Sequence, residues 1–379
     1  MPLASERHRF DIPDDVTYLN SAYMSPLSHA AIAAGEAGLG AKRRPWTITA
    51  PDFFENADTL RGLVAGLLGA TARDVALVPA ASYGIAVAAA NLPLAAGQRV
   101  LLLDEAFPSM VYAWRERARE VGATIETVPR PADDDWTRAV LERIDERTAV
   151  ASLPHCHWTD GSRLDLAAIG ARLREVGAAL VVDATQSLGA LPFDVGAIQP
   201  DFVTAAAYKW LLGPYSLGYL YAAPARQQGR PIEHGWMTRE GAEDFAGLTR
   251  YRDALAGGAK RYDVGEFSNF ALLPVAIAAL GEIHAWGVPA IQETLSGLTA
   301  AVAERAASIG LRAVAADRRA GHFIGLRASR PLPPDLVARL AAERVYVSVR
   351  GPAVRVAPHL YNHMGDVDRL IEVLARTLG

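Results

Sequence analysis

Between residues 75 and 222 the chain alternates short, valine- and leucine-rich runs with longer segments of helical periodicity. VALVPA, RVLLLDEA, TIETVPR, AVASLPH, ALVVDAT, FVTAAAY and LGYLYAA read as strands, bounded by turn-forming residues. YGIAVAAANL, residues 112–121 and DLAAIGARLREVG have the apolar spacing of helices. Strands separated by helices pair in parallel, because a parallel neighbour is reached only through a crossover connection. The expected fold class is α/β: a mostly parallel, doubly wound sheet whose ligand groups stand at the carboxyl ends of its strands.

At 379 residues the chain suits two domains rather than one. Residues 226–261 are polar, glycine-rich and aromatic, which reads as a loop region; long loops of this kind are usually functional or at an interface. A long helix over 272–285 follows, then PAIQETLSGLTAAVAERAASIG and a smaller unit holding GHFIGLRA, PPDLVARLAAERV, YVSVRG and AVRVAPHLYN. We therefore expect a large domain over residues 16–260 and a smaller α+β C-terminal domain over 261–379, with residues 1–15 packing on the latter.

Composition narrows the partners. With 51% hydrophobic and 21% charged residues and a net charge of −4, there is no electrostatic reason to expect nucleic acid or an anionic membrane surface. A small-molecule ligand is the better expectation. The single cysteine, Cys156, excludes an intramolecular disulfide and suits a reducing cytoplasm. The N-terminus, MPLASERHRFDIPDD, has no apolar core of a signal peptide, so a cytoplasmic location is expected. Residues 75–98 carry no charge over a bilayer-spanning length, but Pro79, Ser82, Asn91 and Pro93 interrupt them and alanine dominates. They read as a buried helix with its leading loop.

Chemistry concentrates at the strand ends. Asp183 closes the ALVVD run and Lys209 follows the FVTAAAY run. An acid and a lysine at neighbouring strand ends form, on residue type alone, an ordinary ion pair. Ser82 begins a small-residue helix, where it serves either as an N-cap or as part of an anion cradle. His155 and His157 alternate along one strand face, but no third metal ligand accompanies them and no metal site is expected.

Three motifs then weigh together: D-A-T-Q at residues 183–186, Y-K-W at 208–210 and R-V-A-P-H-L-Y-N at 355–362. Their order and spacing resemble the class V aminotransferase group of fold type I pyridoxal-phosphate enzymes, over about residues 18–369. That group includes cysteine desulfurases, kynureninase and isopenicillin N epimerase. The resemblance implies pyridoxal 5'-phosphate as cofactor and an α-amino acid as substrate. It implies that Lys209 forms the Schiff base and moves the Cα proton, that Asp183 keeps the pyridine nitrogen protonated, and that Gln186 hydrogen-bonds the ring oxygen or the phosphate side. Ala81, Ser82 and Tyr208 would face the phosphate, Phe107 would stack on the ring, and Trp158 or His157 would lie over the cofactor near the substrate. Arg355 matches the carboxylate-binding arginine and Arg350 is a second candidate. Asn20 belongs to a segment expected to line the substrate pocket. Ser268 and Asn269 resemble a segment that reaches the neighbouring subunit's site, which implies a homodimer with shared active sites.

The chain also departs from its relatives. The desulfurases need a mobile cysteine shortly before the carboxylate-binding arginine, and VYVSVRGPAVR has none. Persulfide-forming desulfurase chemistry is therefore not expected. The family label is aminotransferase; C–S or C–C cleavage, as in a cystine lyase or kynureninase, and epimerisation are the alternatives. A non-catalytic cofactor-binding regulator is the rival of another class, but no basic DNA-binding helix accompanies the match.

Overall fold

The computed structural model describes residues 2–378; Met1 and Gly379, the outer ends of the 1–15 and 261–379 segments, lie outside the described residues. All seven runs read as strands pair into one sheet. Its order is Val75–Val78, Gly218–Ala222, Phe202–Ala206, Ala179–Asp183, Thr148–Pro154, Arg99–Leu103 and Thr124–Val128. The pairing is parallel except for Gly218–Ala222, which runs antiparallel to both neighbours. The reason is the connection: residues 207–217 contain no helix, and so short a link returns the chain antiparallel instead of crossing over. Residues 75–98 divide into a strand and the Ala81–Asn91 helix.

Side chains alternate across this sheet, as the period of a strand requires. Val75, Leu77, Leu101, Leu103, Val182 and Val203 face one apolar layer, which extends through the helices Glu55–Leu68, Leu166–Glu175 and Leu272–Trp286. Ala76, Val78, Val100, Leu102, Val181 and Phe202 face the other, under the helices Ala81–Asn91 and Pro108–Val121. The sheet is thus wound on both sides. A second, antiparallel sheet of four strands orders Ser348–Arg350, Ala353–Val356, Ile324–Ala328 and Leu311–Arg312. Residues 226–261 hold short turns of 3-10 helix and, among the described residues, no strand and no α-helix.

Two helices, His29–Ala41 and Glu55–Leu68, precede the first strand of the large sheet; the second carries Leu60, Val64 and Leu67 at helical spacing, and the first has no such pattern. The first buries only Ala31 and lies against Leu272–Trp286 so closely that a Cβ on Gly38 would stand 2.1 Å from the Phe270 carbonyl oxygen. No single described helix is long and apolar enough to cross a membrane. The pair Leu272–Trp286 and Val288–Ala307 reaches that length only with a 78° bend between them. The N-terminal segment is held by Leu3 N–H on Thr294 Oγ1 at 2.8 Å, Glu6 N–H on the Leu360 carbonyl at 2.8 Å, and Arg7 on the Tyr361 carbonyl at 3.3 Å.

Two buried carboxylates tie the layers together. Asp160 accepts from Ser162 and pairs with Arg130 at 2.8 Å and with Arg327 of the smaller sheet. Burial opposes its ionisation, yet His157, Arg130 and Ser162 hold its pKa below the usual carboxylate range. Asp263 pairs with the wholly buried Arg61 at 2.5 Å and accepts from the Leu77 N–H at 2.7 Å, clamping the edge strand Val75–Val78. Breaking a buried pair leaves one charge uncompensated, so Arg61→Met should lower stability by roughly 3–5 kcal/mol. Urea unfolding followed by circular dichroism measures this; a loss under about 1 kcal/mol contradicts the clamp.

Candidate active site

The carboxyl ends of the parallel strands converge on a cavity of about 290 Å³. Register explains the convergence: Pro154 pairs with Asp183, so those two strands end level, and Asp183 pairs with Thr204, so Phe202–Ala206 runs two residues further beside them. The cavity is lined by Ala81, Ser82, Phe107, Trp158, Asp183, Gln186, Tyr208 and Lys209. Two catalytic candidates and six cofactor-binding candidates are thereby brought together.

Lys209 sits in the turn after Phe202–Ala206. Gly213 N–H donates to the Ala207 carbonyl at 2.9 Å and Leu212 N–H to the Lys209 carbonyl at 3.1 Å, closing the turn around it. Trp210, wholly buried, donates through Nε1 to Gln186 Oε1 at 2.9 Å and meets His322 edge-on at 4.4 Å. On the other side of that contact Gly189, at φ 95°, brings its backbone so near that a Cβ would stand 2.5 Å from the Trp210 carbonyl oxygen. Trp210 and the glycine-proline turn therefore fix the lysine's position, while the lysine itself faces the cavity. Its Nζ lies 5.4 Å from the Phe107 ring centre and 5.5 Å from that of Tyr208.

The electrostatics are unusual for a lysine. Burial pushes Lys209 down to about 8, Arg355 and Arg350 reinforce the shift, and Asp183 opposes it. The amine is consequently available as a nucleophile much nearer neutrality than an exposed lysine. Burial raises the Asp183 carboxyl, against the hydrogen bond it accepts from Thr185 N–H at 2.9 Å and the attraction of Lys209. The chain has only three lysines. Lys42 is exposed and Lys260 pairs with Asp58 at 2.7 Å, so Lys209 is the buried one.

The Ala81–Asn91 helix points its N-terminus at the same cavity. Ala80 is its N-cap and no side chain caps it, so Ser82 is a residue of the first turn rather than the cap. An uncapped helix start leaves backbone N–H groups free for an anion. Phe107 meets Trp158 edge-on at 5.5 Å, and Trp158 Nε1 donates to the Glu105 carbonyl at 2.7 Å. Gln186 is anchored through Nε2 to the Ala22 carbonyl at 3.1 Å.

The remaining candidates lie at different distances from this centre. Arg355 and Arg350 do not line the cavity but border it through Trp158: Arg355 donates to the Trp158 carbonyl at 2.8 Å, and the Arg350 guanidinium lies 5.7 Å from the Trp158 ring centre. Asn20 is buried, accepts from Ser348 Oγ at 2.6 Å and bridges to Ala357, so it braces the smaller sheet's hairpin outside the cavity. Ser268 and Asn269 line another hollow, with Leu39, Phe53 and Trp236. Of the two alternatives at 157 and 158, the tryptophan lines the cavity, while His157 stacks on Trp136 at 5.2 Å and bonds Thr159 and the Asp104 carbonyl. His155 faces Phe193. Among the described residues no group of three or more His, Cys, Asp or Glu side chains is placed to hold a metal ion.

Sequence reasoning missed Thr185, Tyr215 and Ser216, which also line the cavity. Thr185 was findable: an aspartate accepting from the N–H two residues on is an Asx turn, and D-x-T suits one. Tyr215, 4.7 Å from Tyr208 between ring centres, stands on a turn with no periodic signal.

The profile of the family "Aminotransferase class-V" matches residues 42–370, and the chain belongs to that family. It is similar to kynureninase of Deinococcus radiodurans, with 30% identity over 296 residues, covering 74% of this chain and 70% of that protein. It is also similar to an uncharacterized aminotransferase, YcbU, of Bacillus subtilis, with 28% identity, covering 86% of this chain and 85% of that one. In fold it matches the cystine C–S lyase C-DES, solved with its reaction product cysteine persulfide: TM-score 0.87, 20% identity, 96% of this chain and 98% of that one. The protein is thus an enzyme of the class V group, and that family uses pyridoxal phosphate.

The cavity's residues fit that cofactor. An uncapped helix start suits a phosphate, Phe107 offers a ring face, Asp183 is a buried carboxyl with one oxygen bonded to Thr185, and Lys209 is an amine with a lowered pKa. Behind Lys209, burial lowers His322 to about 4; burial with His322 lowers His155 and His359 to about 3. An exposed histidine titrates near 6.5, so below that pH the unfolded chain takes up protons that the folded chain refuses, and stability falls. His359→Phe should therefore gain on the wild type by up to about 2 kcal/mol between pH 7 and pH 5. Urea midpoints at the two pH values test this, and an unchanged gap contradicts it.

Proposed function

We propose that the protein is a pyridoxal-phosphate-dependent enzyme acting on an α-amino acid, with Lys209 as the residue that joins covalently to the cofactor's aldehyde. The observation that carries this reading is a buried lysine of lowered pKa facing a carboxyl, an aromatic ring and an uncapped helix start in one cavity. When bound, the protonated pyridine ring accepts the electron pair left when a bond at the substrate's Cα is broken.

The chain's own groups divide the work. The N–H groups of Ala81 and Ser82 bind the phosphate, with the Tyr208 hydroxyl in support. Asp183 holds a proton at the ring nitrogen, a cationic partner that offsets the cost of its buried charge. Phe107 covers the ring, Gln186 and Trp158 orient it, and the aromatic walls keep water from the reacting face. Lys209 would take and return the Cα proton, a task matched to an amine titrating near 8. Arg355 receives the substrate carboxylate: it is 1% exposed, makes no ion pair among the described residues, and its Nε has no partner.

Transamination is the reading for the reaction. Elimination or hydrolytic cleavage is the second, favoured by the aromatic wall of Phe107, Trp158 and Tyr208 and by the similarity to kynureninase. A desulfurase route is disfavoured, because Cys156 is the only cysteine and burial pushes its thiol far up, away from the reactive thiolate. The purified enzyme should absorb visible light and convert amino acids to oxo acids, with a second oxo acid required for turnover. Pyruvate and ammonia released without one would select the second reading. Loading of the cofactor-free protein should accelerate with pH and level off near 8, the pKa of Lys209; a rate still climbing at pH 10 contradicts the assigned amine.

We also propose a cytoplasmic homodimer. Leu39 (66% exposed), Trp236 (39%) and Phe245 (38%) form an apolar face around the hollow that holds Ser268 and Asn269. A patch of this kind marks an interaction surface, and a second copy there would bring Ser268 and Asn269 toward its partner's cavity. Light scattering should give twice the chain mass, and Leu39→Asp should give a monomer that retains cofactor poorly. A monomeric wild type contradicts the dimer.

A further inference from the structure

Arg350 has no counterpart for its charge. It makes one hydrogen bond, to the carbonyl of its own neighbour Val349 at 2.8 Å, and no ion pair among the described residues. Its guanidinium lies 5.7 Å from the Trp158 ring centre, at the border of the Lys209 cavity. Arg355 is in the same condition: among the described residues its side chain bonds the Trp158 carbonyl and no carboxylate.

The register of the hairpin places both on one face. Ser348 pairs with Arg355 and Arg350 pairs with Ala353. Residues two apart on a strand share a face, so Arg350 stands on the side of Ser348, and Arg355 lies across from Ser348 on that same side. The two arginines are diagonal cross-strand neighbours. Like charges in such a relation destabilise a hairpin unless an anion lies between or beside them. Lys209 adds a third cation in electrostatic reach of both arginines, and among the described residues Asp183 is the carboxylate that acts on that lysine.

In the function proposed above, Asp183 is matched by the cofactor's ring nitrogen, and one substrate carboxylate neutralises Arg355. Arg350 is left over. It is half-buried at the border of the cavity, outside the lining that holds Lys209, with Trp158 as a flat apolar support. We propose that the substrate is an α-amino acid with a second, anionic group on its side chain, held by Arg350 over the Trp158 face while Arg355 holds the α-carboxylate. This rests on the reading of the site as an amino-acid site, and it makes Arg350 a specificity residue.

Calorimetric titration of the enzyme with unreactive acids tests the inference without turnover. Glutarate and succinate should bind about tenfold or more tightly than pentanoate and butyrate, the strength of a charge-assisted hydrogen bond. Arg350→Gln should erase that advantage while changing monocarboxylate binding by less than about twofold; Arg350→Lys should keep part of it. With the wild type, L-glutamate and L-aspartate should perturb the visible absorbance at lower concentration than L-glutamine and L-asparagine. Equal binding of mono- and dicarboxylates overturns the inference. So does an Arg350→Gln variant that weakens both alike, which would mean that the two arginines grip a single carboxylate. A protein that holds no cofactor defeats the functional reading instead, and the dicarboxylate comparison still decides this one.

Discussion

A lysine amine is costly to bury, and Lys209 is buried within electrostatic reach of two arginines and, among the described residues, of one carboxylate, Asp183. The excess positive charge organises the rest of the site. It adds to burial in lowering the pKa of the lysine, it faces Arg355 and Arg350, which make no ion pair among the described residues, and it makes the cavity a place suited to anions. A structural ion pair between Lys209 and Asp183 would need no such arrangement. The aspartate instead turns an oxygen to Thr185, and no direct hydrogen bond joins it to the lysine.

The fold sustains this imbalance by rigidity around it. Trp210 is pinned by Gln186 and His322, Gln186 is pinned by the Ala22 carbonyl, and His322 donates to the Gln186 carbonyl at 2.6 Å. The cluster locks the turn that carries Lys209. The strand leading to the Ala81–Asn91 helix is clamped by Asp263 and Arg61, and the smaller sheet that carries the arginines is tied to the larger one through Asp160. Of these anchors Gln186 lines the cavity and Trp210, His322, Arg61, Asp263 and Asp160 do not, so most of the bracing uses groups outside the ligand site.

Much of this was legible in the sequence because strands and their ends are written in residue type. Val181 and Val182 announce a buried strand, so Asp183 had to emerge at its edge, and the FVTAAAY run placed Lys209 likewise. What was not legible depends on pairing. The antiparallel turn of Gly218–Ala222, the shared face of Arg350 and Arg355, and the choice of Trp158 over His157 each follow from register or from which way a residue points, and neighbouring residues on an extended chain point in opposite directions. The His29–Ala41 helix was hidden for a different reason: its alanines and glycines carry no periodicity, and its place is set by close packing on Leu272–Trp286. Ser268 and Asn269 lie in a hollow apart from the Lys209 cavity.

With only three lysines in the chain, one measurement addresses the chemistry of the site directly. Borohydride reduction of the enzyme as purified, followed by proteolysis and mass spectrometry, should place a phosphopyridoxyl adduct on the peptide carrying Lys209 and leave Lys42 and Lys260 unmodified. An adduct on either of those two, or none at all on a protein loaded with cofactor, would contradict the assignment of Lys209.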